Sequence, residues 1–330
     1  MSILITGGAG YIGSHVANLL FEKNYKVIVV DNLSTGFKSS LHPDIIFKQG
    51  DVLDHDFLNQ IFNENEIESV FHFASLLNIK ESLFKPLDYY RVNVGGLMNV
   101  LKFCESYSVR KLIFSSSSTV YGNNSNSQLN ETSLVEPINP YGHTKLFSEQ
   151  MIRDFAFSKD FHYKILRYFN VAGAAVNNSN GQRTRDAYHL VHLASKAALG
   201  LRSNMLVYGD NYSTPDGSCV RDYIHVQDLA ELHILAYENI IETQSSPIIN
   251  CGYGIGFSVK QVLKSMNELA PRPFKIQSAE RRPGDPDHLV ASTDLLRKTF
   301  PKWKPKHDQL ELICQSALTW EAKLLQENRG

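Results

Sequence analysis

Ile3-Leu4-Ile5-Thr6-Gly7-Gly8-Ala9-Gly10-Tyr11-Ile12-Gly13-Ser14-His15 reads as a short strand, a glycine turn and the start of a helix. That order brings backbone N–H groups and the positive end of a helix dipole to one point, where a pyrophosphate can sit. The spacing G-x-x-G-x-x-G also suits a turn that merely lets a helix pack closely on a strand. Asp31 decides between the two. It ends the next β-branched run, about 20 residues on, where a carboxylate accepts hydrogen bonds from the hydroxyls of an adenosine ribose. The same charge repels a 2′-phosphate, and the loop Asn32-Leu33-Ser34-Thr35-Gly36 holds no arginine to neutralise one. NAD is therefore expected rather than NADP. Gly50-Asp51-Val52 closes a third strand, and Asp51 suits either the adenine amino group or an acidic turn capping a helix.

Outward from this unit, strands are expected at Ile3–Thr6, Lys26–Asp31, Ile45–Gln49, Ser69–Phe73, Lys111–Ser115 and Tyr163–Arg167. Helix-period segments lie between them, near Tyr11–Lys23, Leu53–Glu64, Pro86–Ser106 and Pro140–Lys159. Repeated strand-helix-strand units imply right-handed crossovers, and so an α/β, doubly wound parallel sheet of Rossmann type. After Asn170 the alternation breaks into Gly-, Asn- and Ser-rich stretches, which predicts a smaller mixed α/β substrate lobe. Val226–Glu238 and Ser258–Leu269 read as helices and Ile248–Asn250 as a returning strand. The expected division is thus residues 1–170 for the dinucleotide-binding domain, with parts of about 220–255 rejoining it, and 171–330 for the second lobe.

Composition narrows the function classes. The 330 residues carry 33 Lys+Arg against 34 Asp+Glu, so no bulk attraction to nucleic acid or to anionic lipid is built in. No apolar run approaches the ~20 residues a spanning helix needs. The start of the chain runs directly into the first strand without a basic or separate apolar segment, so a cytoplasmic protein is expected. Cys104, Cys219, Cys251 and Cys314 lack metal-ligand spacing; inert buried thiols are expected, with no metal site.

Two further stretches carry chemistry. Tyr141-x-x-x-Lys145 opens a helix, where residues four apart share a face and an ammonium can lie beside a phenol. Ser115-Ser116-Ser117-Ser118-Thr119-Val120-Tyr121-Gly122 follows a buried strand, so its hydroxyls reach the carboxyl edge of the sheet, where open α/β folds bind ligands. A serine run also serves as a plain polar turn, and the same four-residue tyrosine–lysine spacing recurs without meaning at Tyr107 and Lys111. Together, however, Ser117, Tyr141 and Lys145 solve one problem: taking an alcohol proton at neutral pH while hydride leaves the carbon. A free phenol, with a pKa of ~10, is a poor base there. Lys145 and a positive nicotinamide ring are expected to favour the phenolate, with Ser117 relaying the proton.

These residues resemble the extended short-chain dehydrogenase/reductase family, and within it the UDP-glucose (UDP-galactose) 4-epimerases. The resemblance runs through TGGAGYIGSH (6–15), DNLSTG (31–36), FHFA (71–74), SSSSTVYG (115–122), NPYGHTK (139–145), RYFNVAGA (167–174), VRDYIHVQDLA (220–230) and RRPGD (281–285). It implies Ser117, Tyr141 and Lys145 as catalytic residues. It implies cofactor contacts from Gly7, Gly10, Tyr11, Ile12, Asp31, Asn32, Ser34, Thr35, Gly36, Asp51 and Val52. Phe73, Ala74, Asn93, Ser115, Tyr141, Lys145 and Tyr168 complete that set. Where many relatives have a lysine shortly after FHFA, this chain reads Ser75-Leu76-Leu77.

For a UDP-sugar, the resemblance implies Ser117, Asn170, His189, Leu190, Tyr208, Arg221, Arg282 and Asp285. Guanidinium forks match phosphate oxygens, a tyrosine ring stacks on uracil and a carboxylate binds ribose hydroxyls. The plain alternatives are that Arg281-Arg282 is a solvated charge pair, Tyr208 a core aromatic and His189 a satisfied histidine. Leu289 stands where some relatives carry a bulky tyrosine, so acetamido sugars are not excluded by size. The implied activity is NAD-dependent epimerisation at C4 of a UDP-hexose through a transient 4-ketose, in a homodimer paired through helices 86–106 and 140–159. Competing readings are an epimerase of a UDP-N-acetylhexosamine or UDP-uronic acid and, in another class, a non-catalytic NAD-sensing regulator. A 4,6-dehydratase is disfavoured, because Ser118-Thr119 replaces the Asp-Glu pair which that elimination needs.

Overall fold

In a computed structural model, residues 1–124, 128–184, 188–282 and 285–327 are described. The strands in chain order are β1 (Ser2–Thr6), β2 (Val27–Asp31), β3 (Ile46–Gln49), β4 (Ile67–His72), β5 (Lys111–Ser117), β6 (His162–Tyr168), β7 (Asn170–Ala172), β8 (Asn204–Tyr208), β9 (Val220–His225), β10 (Ile248–Cys251), β11 (Gly256–Ser258), β12 (Lys275–Ala279) and β13 (His288–Leu289). The helices are α1 (Tyr11–Glu22), α2 (His55–Glu64), α3 (Ile79–Phe84), α4 (Pro86–Tyr89), α5 (Gly96–Ser106), α6 (Pro140–Phe157), α7 (Leu190–Ala198), α8 (Val226–Thr243), α9 (Val259–Leu269), α10 (Asp294–Thr299) and α11 (Leu310–Glu327).

The chain divides into two compact units. The first comprises Met1–Gly122, Leu134–Arg167 and Ala230–Ile249. Its sheet runs in the order β10-β6-β5-β4-β1-β2-β3, and β1 pairs in parallel with both β2 and β4. This is the doubly wound order, with its topological switch between β1 and β4, where such sheets bind ligands at the strand carboxyl ends. Every residue of β1 and β2 is buried, which accounts for their uninterrupted apolar and β-branched composition. Leu4, Ile28, Val70, Leu112 and Ile165 form the centre of the core on one face, packed against Leu58, Ile61, Leu97 and Leu101 of the covering helices.

Two expected elements are corrected here. The segment Leu53–Glu64 starts as a helix only at His55, because the Asp54 side chain accepts the Phe57 N–H and caps it there. The expected single helix Pro86–Ser106 is broken into α4, a π-helical turn at Tyr90–Gly95, and α5. Widened turns of this kind concentrate at functional sites, and this one carries Asn93.

The second unit comprises Asn123–Ser133, Tyr168–Leu229 and Asn250–Gly330. In it β9 is flanked by antiparallel β11 and parallel β13 and β7, while β8 and β12 form a separate parallel pair. Helices α7, α9 and α11 pack together through buried Val191, Ala194, Val262, Met266, Ile313 and Leu318. Asp222, fully buried in β9, accepts the N–H groups of Tyr253, Gly254 and Ala291 and so stitches three segments together. Burial raises its carboxyl to about 6, against those three hydrogen bonds.

All four cysteines are free and buried. Among the described residues no cluster fit to hold a metal ion occurs, and no helix is long and apolar enough to cross a membrane.

Candidate active site

The glycine turn is built as its spacing requires. Gly7 has φ of 69°, and a Cβ there would meet the backbone of Ala74 at 2.5 Å. A Cβ on Gly13 would meet the Gly7 carbonyl at 2.5 Å, so these two glycines let strand, turn and helix close on one another. Gly10 differs. A Cβ there would touch only the Gly7 carbonyl, at 3.3 Å, so its outer side is open to a ligand. Gly10 is also the N-cap of α1, with no side-chain cap and no acid in the first turn, and the positive helix end carries no protein anion of its own. Tyr11 and Ile12 are the first two helical residues at that end.

Asp31 is buried at the end of β2, and its two oxygens accept the N–H groups of Ala9 (3.0 Å) and Leu33 (2.8 Å). Burial raises its pKa and the two N–H donors oppose that rise. A Cβ on Gly36 would lie 3.0 Å from Asp31 Oδ1, so the loop carrying Ser34, Thr35 and Gly36 folds back over the carboxylate. Asp51 is a turn residue that also holds Asn32. Its Oδ1 accepts the Leu53 N–H as a turn residue does, while Oδ2 accepts from Asn32 Nδ2 at 2.9 Å, joining two expected adenosine contacts. Val52 beside it is buried in the core.

Phe73 follows β4, with its N–H on the Thr6 carbonyl at 2.8 Å, and leads into Ala74 at the mouth of the glycine turn. The Asn93 side chain is spent internally. It donates to Thr144 Oγ1 and the Leu76 carbonyl and accepts the Leu76 N–H, which clamps the Ser75-Leu76-Leu77 loop to α6.

At the end of β5, the Ser117 hydroxyl accepts from the Thr119 N–H (3.2 Å) and hydroxyl (3.0 Å), and it neighbours the Tyr141 phenol closely enough to lower its pKa. Asn139 caps α6 by accepting the Gly142 N–H, and Pro140 supplies the first-turn φ. These two residues place Tyr141 in the first turn and Lys145 one turn later. Lys145 Nζ donates to the Ser115 carbonyl at 2.8 Å and lies 5.8 Å from the centre of the Tyr141 ring. Sequence-expected Ser115, Ser117, Tyr141 and Lys145 are thus one cluster.

Burial pushes the Tyr141 phenol up to about 12, and the neighbouring Ser117 hydroxyl only partly opposes this. Burial also brings Lys145 down to about 7, against the pull of Glu149. Glu149, Arg167, Ser116 and Thr144 were not among the expected site residues. Glu149 had a signal, since it lies four residues past Lys145 on the same helical face.

In the second unit, two pairs of expected residues meet. The Arg282 guanidinium lies 3.7 Å over the Tyr208 ring, and Arg221 lies 3.7 Å from Asp285 while donating to the Val220 and Pro286 carbonyls. Leu289 is the β-partner of Arg221. Both arginines are exposed, and Arg281 stacks on Tyr212 at 3.9 Å and pairs with Asp287 at 2.7 Å. Asn170 opens β7, His189 is the N-cap of α7, Leu190 begins that helix, and Tyr168 ends β6. The central residues of RRPGD, 283 and 284, lie outside the described residues.

Comparison with known proteins agrees with this geometry. A UDP-glucose 4-epimerase of Azospirillum brasilense is 41% identical over 98% of this chain and 93% of its own. A solved UDP-glucose 4-epimerase from Brucella ovis, in complex with NAD, is 39% identical with a TM-score of 0.92 and covers 96% of this chain and 97% of that one. Another, from Bifidobacterium longum with NAD+ and UDP, is 35% identical with a TM-score of 0.90 and covers 98% of each chain. Residues 3–252 match the family described as NAD dependent epimerase/dehydratase, and with the glycine turn, Asp31 and the serine–tyrosine–lysine cluster all in place, the chain belongs to that family.

Proposed function

We propose that this protein interconverts UDP-glucose and UDP-galactose by NAD-dependent epimerisation at C4. The observation that carries the reading is the Ser117–Tyr141–Lys145 cluster at the end of β5, in the same unit as a glycine turn shaped for a dinucleotide. A solved UDP-glucose 4-epimerase of the same fold, from Bifidobacterium longum, is in complex with NAD+ and UDP. The cradle fits NAD. Gly10 is open to the pyrophosphate, the first turn of α1 is free of acid, and Asp31 with the Asn32–Asp51 pair faces the adenosine side. Held there, NAD would supply the nicotinamide as hydride acceptor and donor for C4.

The chain's own residues handle the proton. Tyr141 Oη takes it from the C4 hydroxyl and later gives it back, Ser117 Oγ holds the sugar oxygen, and Lys145 Nζ favours the phenolate. The first unit serves as the dinucleotide-binding domain. The second serves as the nucleotide-sugar lobe, with Tyr208 for the base, Arg221 and Arg282 for the phosphates and Asp285 for the ribose; Asn170, His189 and Leu190 add nucleotide contacts. Because Arg282 lies on the Tyr208 ring, a base that stacks on that face must displace it. The acetamido-sugar, uronic-sugar and regulator readings are less well supported, since the relatives compared above are UDP-glucose 4-epimerases.

A cytoplasmic homodimer is part of this reading. Leu87 (81% exposed) on α4, Met98 (44%) on α5 and Phe147 (49%) on α6 present apolar surface on the helices expected to pair between subunits. The purified protein, incubated with UDP-glucose without added NAD, is expected to form UDP-galactose and to sediment at twice the chain mass. Turnover of UDP-N-acetylglucosamine or UDP-glucuronate alone would overturn the substrate assignment, and sedimentation as a single chain would overturn the dimer.

A further inference from the structure

A buried polar chain stands behind the phenol and the ammonium, and the roles given above do not use it. Glu149 lies one helical turn past Lys145 on α6 and is 2% exposed. Arg167 of β6 grips it with a two-pronged fork, Nε on Oε1 at 2.9 Å and Nη2 on Oε2 at 2.6 Å. The Ser116 hydroxyl donates to Oε1 as well. The remaining guanidinium nitrogen, Nη1, donates to the Tyr121 hydroxyl at 2.9 Å. Ser116 sits between Ser115, whose carbonyl accepts from Lys145, and Ser117, which neighbours the Tyr141 phenol. One carboxylate is therefore tied to the strand end that holds both catalytic contacts.

A buried ion pair is weak evidence for stability, because well-packed apolar residues of similar volume often serve as well or better. Its place here points to the neighbouring lysine. We propose that Glu149 and Arg167 are positioning residues of the active site: the carboxylate supports the Lys145 ammonium, and the guanidinium holds the carboxylate in place. This deepens the epimerase reading and rests on it.

The charged and titratable groups around Lys145 are Tyr141 and Glu149 from its own helix, His72 from β4, and Arg167 from β6 behind Glu149. His72 is held neutral, its pKa brought down to about 3 by burial and by Lys145 itself. Of these groups Glu149 alone is a carboxylate. With Lys145 brought down to about 7 by burial, loss of that carboxylate lowers its midpoint further, and the ammonium is lost where the enzyme has to work.

The test uses the NAD-containing protein as wild type, Glu149→Gln and the double variant E149Q/R167Q. The ¹⁵Nζ lysine signal that disappears in Lys145→Met is titrated by NMR, and kcat is measured against pH. In E149Q the Lys145 midpoint is expected to fall by about one pH unit, with the loss in kcat growing from about pH 6 upward and levelling off at about tenfold by about pH 8. The double variant removes one charge of each sign, so its midpoint is expected above that of E149Q but below wild type, and its kcat above that of E149Q. An unmoved midpoint in E149Q, or a double variant whose midpoint lies at or below that of E149Q, would overturn the proposal. If E149Q does not fold, the double variant is read against wild type, and an equal midpoint overturns it. The NMR midpoint needs no substrate, so a wild type that fails to turn over UDP-glucose sinks the epimerase reading and leaves this proposal to its own result.

Discussion

Replacing Tyr141 with Phe is expected to lower kcat about a thousandfold while leaving the fold and the NAD content unchanged. The change removes one oxygen from a side chain that is 8% exposed and keeps the ring that packs there. Neither neighbour is orphaned. Lys145 keeps the Ser115 carbonyl, and Ser117 keeps both donors of Thr119. What disappears is the group that accepts the C4 proton, and a positioned acid–base group is worth roughly 10²–10⁴ in rate. Burial leaves the phenol at about 12 among the protein's own groups, so the positive nicotinamide ring remains as a source of acidification. Single-turnover kinetics together with the ratio of NAD to protein check this result. A variant that lost NAD, or that kept more than about a tenth of wild-type kcat, would remove Tyr141 from the proposed role.

The second large effect is expected from Gly7→Ala. Gly7 holds φ at 69°, where an alanine costs about 1–2 kcal/mol in strain. Its new Cβ would also sit 2.5 Å from Ala74 N and 2.7 Å from the Phe73 carbonyl carbon. Both are backbone atoms at the end of a central strand and cannot swing aside as a flexible side chain would. Forcing them apart costs roughly another 1–3 kcal/mol and opens the turn that faces the pyrophosphate. The variant is expected to melt about 5–10 °C lower and to purify without NAD. Gly200→Ala is the control: its φ is 76° but nothing lies within 4 Å of the added carbon, so only the strain remains. Thermal unfolding of the two variants side by side checks the argument, and equal losses would contradict it.

Much of the first unit was legible because its elements are long and periodic and its turn chemistry is local. β1, the glycine turn, α1 and Asp31 lie within one short stretch, and the dipole argument needs nothing beyond it. Tyr141 and Lys145 were legible for the same reason, with Asn139 and Pro140 marking the helix start just before them. The π-helical turn at Tyr90–Gly95 was not. It widens a segment whose composition suits an ordinary helix, and what it serves is the distant clamp of Asn93 on Leu76 and Thr144. Glu149 was marked by its spacing from Lys145, but its partner Arg167 was not, because the pair joins a helix to a strand.

In the second unit, β7, β11 and β13 are two or three residues long and exist through pairing with β9. Segments so short carry no period of their own. The helices α7 and α11 were passed over as well, since each gains its burial from packing with the other and with α9.

The central claim is that C4 loses its hydrogen as hydride within the protein and regains the same hydrogen after the proton has passed through Tyr141. UDP-glucose carrying deuterium at C4, converted in ordinary water, tests it directly. The UDP-galactose formed is expected to keep the deuterium at C4, and replacement of that label by solvent hydrogen would contradict the account.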